Sequence, residues 1–242
     1  MIKRLTDILL AIFLLIFISP ILLIFSFLIW IDDKSNPIYV AKRIGKDGME
    51  FNFYKLRSMI INADASGVDS TSASDNRITS IGKLIRKFKI DELPQLWHVL
   101  TGKMSFVGPR PNIWNDVKIY TEVEKKLLSV KPGITDFSSI IFSDEGEILS
   151  GFEDPDLKYN QLIRPWKSRL GLFYIKKRSF LLDTLLISVT LIAIFKKKIA
   201  NNCVVKILEY YNADIDLIKV CKRDKVLEPY PPPGSKEIVK ER

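Results

Sequence analysis

Residues 8–31 read ILLAIFLLIFISPILLIFSFLIWI, 24 residues without one charge, bounded by Asp7 and Asp32. As a helix this run is roughly 36 Å long at about 1.5 Å per residue, enough to cross a bilayer. A cleaved signal peptide fits less well, because the run is too long and no small-x-small cleavage site follows it. Ser19-Pro20 falls in the middle, and proline inside a helix removes a backbone hydrogen bond and clashes with the preceding turn. Lys3 and Arg4 precede the run while Lys34, Lys42 and Arg43 follow it, whereas a spanning helix keeps its positive charge on one side. A helix that enters the membrane, breaks at Ser19 and Pro20 and leaves by the same face satisfies both observations. A kinked single span stays open as the alternative.

Beyond the run, alternation at Ile38 and Val40, a turn around Gly45 and Gly48, and alternation at Phe51 and Phe53 predict a short β-hairpin over residues 36–60. Residues 62–76, NADASGVDSTSASDN, are small and polar and predict a mobile loop. Ile81, Leu84, Ile85 and Phe88 at helical spacing, interleaved with Lys83, Arg86, Lys87 and Lys89, predict a basic amphipathic helix. That helix suits a solvated face over a core and equally a surface lying on anionic lipid. A second helix is expected to start at Asp91 and end near Gly102, and residues 113–130 also read as helical. The 16 apolar residues from Phe180 to Phe195 are too few to span comfortably and suit the membrane interface. The tail, with Tyr230-Pro231-Pro232-Pro233-Gly234, reads as an extended, mobile end.

Bulk properties narrow the chemistry. The chain has 242 residues and a formal net charge of +9, which suits nucleic acid, anionic lipid or phosphorylated small molecules. Phe13, Phe17, Phe25, Phe27 and Trp30 lie in the apolar run and not among the basic residues, so no stacking platform for bases is formed and no nucleic-acid partner is expected. With one histidine, His98, and two cysteines, Cys203 and Cys221, without ligand spacing, a zinc site of the usual kind has no donors. Any metal should be a hard ion held by carboxylates.

Residues 89–111 read KIDELPQLWHVLTGKMSFVGPRP. Two adjacent carboxylates stand at a helix start, followed by an arginine held between prolines. A carboxylate can attack phosphorus or bind a hard divalent cation, and a guanidinium fork matches phosphate oxygens. These are parts for phosphoryl transfer. On spacing alone, Asp91 also suits a helix N-cap, Glu92 a partner for the helix dipole, Arg110 a loop brace, and His98 a buried structural ring.

The stretches KRLTDILLAIFLLIFISP, RIGKDGMEFNFYKLRSM, DNRITSIGKLIRKFKIDELPQL, MSFVGPRP and KPGIT occur in this order. From Lys3 to about Phe195 the chain resembles the bacterial sugar transferases of the monotopic phosphoglycosyl transferase superfamily. The resemblance implies an α+β fold: a re-entrant helix-break-helix over residues 1–35, a short hairpin and several amphipathic interfacial helices around a small cytoplasmic catalytic domain over residues 36–199. Residues 200–242 stand as a C-terminal extension. It implies a UDP-sugar donor, a polyprenyl phosphate acceptor, magnesium, contact with membrane phospholipid, and residence at the cytoplasmic face of the bacterial inner membrane; a homo-oligomer is left open. It further implies that Asp91 attacks the donor phosphate next to the sugar, expelling UMP, and that the lipid phosphate then attacks the sugar-phosphoryl aspartate. Glu92, with Asp91, would bind magnesium, and Arg86, Arg110 and Lys55 would neutralise phosphate charge.

The chain departs from the family pattern at several places. Lys103 stands where Asp is frequent and His98 where Asn is frequent. After KPGIT, Asp136 to Ser143 replace the common Gly-Trp-Ala-Gln-Val-Asn-Gly-Arg, removing an arginine. These departures imply a different sugar preference, and they motivate one competing reading: an inactive family member acting as a membrane-bound assembly partner.

Overall fold

The computed structural model describes residues 2–72 and 74–241. Helix α1 (Ile2–Asp33) is followed by strands β1 (Ile38–Ile44) and β2 (Glu50–Leu56), then helices α2 (Ser80–Lys87) and α3 (Gln95–Leu100). Strand β3 (Ser105–Val107), helix α4 (Trp114–Val117) and strand β4 (Gly133–Thr135) come next, then the short helices α5 (Phe137–Ile141), α6 (Glu145–Ile148) and α7 (Pro155–Lys158). Four helices close the chain: α8 (Arg164–Lys177), α9 (Phe180–Phe195), α10 (Lys197–Tyr210) and α11 (Ile215–Lys222).

Helix α1 is continuous through Pro20, so the helical pattern is not interrupted at Ser19-Pro20 where the sequence predicts a break. The local bonding explains this. Proline has no N–H for the carbonyl four residues back, at Ile16, and the Ser19 hydroxyl donates to that carbonyl instead, at 2.9 Å. Most of the apolar middle of α1 is exposed, from Phe13 and Phe17 to Leu23 and Phe27, while both ends are tied to the rest of the protein. Lys3 donates to the Val107 carbonyl at 3.2 Å and pairs with Asp183 of α9. Arg4 donates to the carbonyls of Val99 and Leu100, and Asp7 accepts from Ser105 Oγ at 2.8 Å. At the far end Asp33 pairs with Arg57, and Ile29 packs with Leu56 and Ile85.

Strands β1 and β2 form the expected antiparallel hairpin, with Tyr39 opposite Lys55, Ala41 opposite Phe53 and Arg43 opposite Phe51. Its turn uses left-handed backbone at Asp47 and Gly48. A second, parallel pair joins β3 to β4, an element that the sequence reading lacked. It brings the VGPRP and KPGIT segments together at a glycine crossing: a Cβ on Gly133 would lie 2.1 Å from the Gly108 nitrogen. Hydrogen bonds from Gly108 N to the Thr135 carbonyl (3.1 Å) and from Gly133 N to the Pro109 carbonyl (3.0 Å) close the crossing.

Three further expectations are corrected. The helix expected from Asp91 begins at Gln95, because Ile90–Glu92 forms a 3-10 turn entered through left-handed Lys89; Asp91 is therefore a buried turn residue and caps nothing. Residues 113–130 are not one helix but α4 and a 3-10 segment, Glu124–Ser129. The proline-rich tail is docked: Tyr230 N donates to the Gln161 carbonyl at 3.0 Å, Arg169 donates to the Pro231 carbonyl at 2.9 Å, and the Tyr230 ring packs 4.4 Å from Trp166. Helix α10 crosses residue 200 and buries Ala200, Val204 and Leu208 in the main core with Phe137, Leu170 and Leu186. Helix α9 has the predicted bounds, started by Ser179, whose hydroxyl accepts from Leu182 N.

Candidate active site

Four of the residues singled out in the sequence meet in one place. Asp91 and Glu92 leave the 3-10 turn, Lys55 comes from the end of β2, and Arg110 from the loop after β3. Lys55 Nζ lies 3.8 Å from Asp91 Oδ2 and 3.6 Å from Glu92 Oε1. Arg110 grips Glu92 with its fork, Nη2 to Oε1 at 2.6 Å and Nη1 to Oε2 at 3.0 Å. Arg86 is not in contact with either carboxylate; its charge reaches Asp91 only through space. Ser19 and Pro20 belong to α1 and take no part.

The two carboxylates have opposite electrostatics although they are neighbours. Asp91 is 5% exposed, and burial raises its pKa against the pull of Lys55. Glu92 is largely sheltered, its side chain 12% exposed, which alone would raise it, but Arg110 and then Lys55 outweigh this desolvation and hold it well below the usual carboxylate range. Burial lowers Lys55. Groups whose environments push them apart in this way suit different tasks. Asp91 Oδ1 is buried without a hydrogen-bond partner among the described residues, so one oxygen of the pair is uncommitted.

The scaffold shows why these side chains converge. Gly82 of α2 sits against the Ser58 carbonyl, where a Cβ would come within 1.9 Å, so α2 and the turn bearing Asp91 stay close to the end of β2. His98 of α3 accepts a hydrogen bond at Nε2 from Tyr54 N at 3.0 Å and packs against Phe51, Phe53 and Tyr54. His98 thus holds the backbone next to Lys55, the structural role rather than a catalytic one.

Sequence reasoning missed three residues here. Lys89 acts through space on both carboxylates, and its place beside them in KIDEL was the available signal. Gln95 is fully buried with both amide atoms unpartnered among the described residues. Arg43 lies over the Phe53 ring, 5.8 Å from its centroid, while Lys55 lies 5.7 Å from the same centroid; nothing in the linear pattern marked it. A cavity of about 40 Å³ behind Arg110, lined by Tyr159, Arg164 and Lys167, excludes both carboxylates and is too small for a sugar.

The departures from the family pattern lie apart from the carboxylates. Lys103 is exposed in the turn after α3. Asp136 caps α5, accepting from Ser139 N at 2.7 Å and from the hydroxyls of Ser138 and Ser139.

The model of the bacterial sugar transferases matches residues 1–197. The chain belongs to that family. Among curated relatives of this chain, a Bacillus subtilis protein provisionally named an undecaprenyl-phosphate N-acetylgalactosaminyl 1-phosphate transferase is 43% identical over 134 residues, covering 55% of this chain and 71% of the relative. The UDP-N-acetylgalactosamine-undecaprenyl-phosphate N-acetylgalactosaminephosphotransferase of Aeromonas hydrophila is 32% identical over 193 residues, 78% of this chain and 43% of that one. The UDP-glucose:undecaprenyl-phosphate glucose-1-phosphate transferase of Klebsiella pneumoniae is 36% identical over 177 residues, 70% of this chain and 37% of that one. The chain thus spans less than half the length of the latter two enzymes.

Asp91 and Glu92 supply hard oxygen ligands, and Asp91 Oδ1 is free to bind; among the described residues no group of three or more side chains is poised to cage an ion. Two carboxylates suit magnesium, which keeps waters and takes substrate phosphate oxygens. Both Glu92 oxygens accept from Arg110, and each keeps a second lone pair with which it could ligate an ion.

Proposed function

We propose that the chain transfers a sugar 1-phosphate from a UDP-sugar to polyprenyl (undecaprenyl) phosphate, releasing UMP, as a membrane step of glycan assembly. The observation that carries this reading is the buried Asp91–Glu92 pair, with one uncommitted Asp91 oxygen, set between Lys55 and Arg110. The names of the relatives support the donor and acceptor classes, and they differ in the sugar.

In this reading an Asp91 carboxylate oxygen forms a bond to the phosphorus next to the sugar. The bond from that phosphorus to the bridging oxygen breaks, and UMP leaves with the electron pair. An oxygen of the lipid phosphate then attacks the same phosphorus, the Asp91 carboxylate departs, and the lipid-diphosphate-sugar is complete. Lys55 and Arg110 lower the repulsion between an anionic nucleophile and an anionic phosphate. When Arg110 turns from Glu92 to phosphate, it frees the Glu92 oxygens. Magnesium held by Glu92 and Asp91 would supply further charge neutralisation of the phosphate oxygens. The competing reading of an inactive family member has less support, since Lys103 and Asp136 lie outside the carboxylate pair and its cations.

Asp91→Asn should abolish UMP release from the donor, with or without lipid acceptor, while leaving the protein folded. Turnover retained in that variant removes Asp91 as the nucleophile. We further infer a monotopic arrangement at the cytoplasmic face of the bacterial inner membrane, supported by the attachment of both ends of α1 to one folded unit. Single cysteines at positions 2 and 34, in a variant lacking Cys203 and Cys221, should be labelled from the same side of sealed vesicles by an impermeant reagent. Labelling from opposite sides restores the simple span.

A further inference from the structure

Three cations face the carboxylate pair or flank it, and their commitments differ. Lys55 is shared between Asp91 and Glu92, and Arg110 is spent on Glu92. The Arg43 side chain makes no hydrogen bond or ion pair with any described residue, although it is partly buried and burial pulls its pKa below the ordinary arginine value. Tyr39, Asp116 and Asp69 favour its charge only through space, and Arg110 opposes it.

Its placement is built rather than accidental. Arg43 is opposite Phe51 in the hairpin, four register positions from the Tyr39–Lys55 pair and on the same face. Its guanidinium lies over the Phe53 ring, which Lys55 also approaches, and stacking on a ring leaves the N–H donors at the rim available. The next residue, Ile44, donates its N–H to the Asn112 carbonyl at 2.9 Å, so the hairpin end bearing Arg43 is fastened to the loop bearing Arg110. A sheltered guanidinium without an anion is a cost to the fold. Next to cations that are already paired, it is a seat for an anion brought by a ligand.

We infer that Arg43 binds the phosphate that departs with the nucleotide, an assignment that rests on the transferase reading above. Lys55 touches the nucleophile and therefore accompanies the phosphorus under attack. Arg43, reached from Lys55 across the Phe53 ring, is placed for the second phosphate of the diphosphate, where negative charge grows as the bridging bond breaks. Its five fixed donors suit that growing charge better than a point charge does.

The test is calorimetric binding of UDP and of UMP to the full chain in detergent micelles, with thermal unfolding of the same samples. Arg43→Gln should weaken both nucleotides by roughly 10- to 100-fold, the range for losing charged hydrogen bonds, without lowering the unfolding temperature. Arg43→Lys should fall between the two, since it keeps the charge and loses the fork. Wild-type affinity for both nucleotides in Arg43→Gln overturns the inference. So does a loss confined to UDP, which would put Arg43 on the phosphate next to the sugar, and so does a clear drop in unfolding temperature, which would make Arg43 a structural residue. If the wild-type chain binds neither nucleotide, the transferase reading fails with it, a result distinct from the other three.

Discussion

Acidification should destabilise this protein through one side chain, His98. The ring is 1% exposed, and its Nε2 accepts the Tyr54 N–H at 3.0 Å, which requires the neutral ring with its proton on Nδ1. Burial, with a contribution from Lys103, lowers its pKa from 6.5 to about 4. Above pH 6.5 both folded and unfolded chains carry a neutral imidazole, and the group adds no pH dependence. Between 6.5 and about 4 the unfolded chain binds a proton that the folded chain refuses, so stability falls as pH falls, by about 1.4 kcal/mol per unit, and the loss is complete below about 4. The full loss is about 3 kcal/mol; at pH 5.0 it is about 2 kcal/mol, or roughly 4–8 °C in Tm for a chain of this size. The control is His98→Gln, which does not titrate in this range and whose side-chain oxygen reaches the place of Nε2 to accept from Tyr54 N. Unfolding of both proteins in mixed micelles at pH 7.5 and 5.0 gives a difference of differences in which the other carboxylates cancel. A wild-type-minus-variant gap that is the same at both pH values refutes the neutral, buried ring. Tyr54 precedes Lys55, so UMP release by the wild type should also decline across this window more steeply than that of the variant.

Gly133→Ala should cost activity while leaving most of the helix content intact, as judged by circular dichroism. A Cβ placed 2.1 Å from the Gly108 nitrogen must push apart the β3–β4 crossing that carries Arg110, and a shift of about 1 Å in a catalytic group can cost roughly 100-fold. Glu124→Gln should instead destabilise the fold. Glu124 is 0% exposed and Arg164 1%; Glu124 accepts from Arg164 Nε at 3.1 Å, from Ser168 Oγ at 2.7 Å and from Thr121 N at 3.0 Å. Leaving the Arg164 charge buried and unpaired costs about 3–5 kcal/mol, readable as a fall in Tm; an unchanged Tm would show that the pair is not desolvated in solution.

Elements with a strong period and clear stops were legible in the sequence. The hairpin had alternation and a turn with glycines, and α9 had an apolar run opened by Ser179. The Lys55, Glu92 and Arg110 grouping was also foreseen, because each lies in a stretch shared with a recognisable family. The β3–β4 pair was hidden, since three-residue strands show no periodicity and their pairing depends on two glycines 25 positions apart in number. At Pro20 the helical pattern continues because the cost of a missing N–H depends on whether another donor reaches the orphaned carbonyl, and Ser19 does. The tail misled because a proline run cannot donate from its nitrogens, yet its carbonyls still accept, from Arg169 and Thr121. Arg43 was unreadable for a deeper reason: what singles it out is the absence of a partner, a property that exists only once the chain is folded.

The basic residues at the start of α1 were read as charges flanking an apolar run, and the fold gives them a second task. Arg4 holds the carbonyls at the end of α3, and Lys3 holds the Val107 carbonyl just before the loop bearing Arg110. The Tyr174 hydroxyl donates to Asp183 at 2.6 Å and lies 3.1 Å from the same carbonyl, so Lys3, Tyr174 and Asp183 form one polar knot linking α1, α8 and α9 to β3. Asp7 adds Ser105 on the same strand. The first two turns of the apolar helix therefore supply bonds to both motifs of the site, one through α3 and one through β3. Charged hydrogen bonds of this kind contribute about 1.5–3 kcal/mol each, more together than a small domain can lose without consequence. Helix α1 is thus part of the scaffold that sets the spacing of Glu92 and Arg110, and a shift of α1 is coupled through these bonds to the geometry of the carboxylate pair.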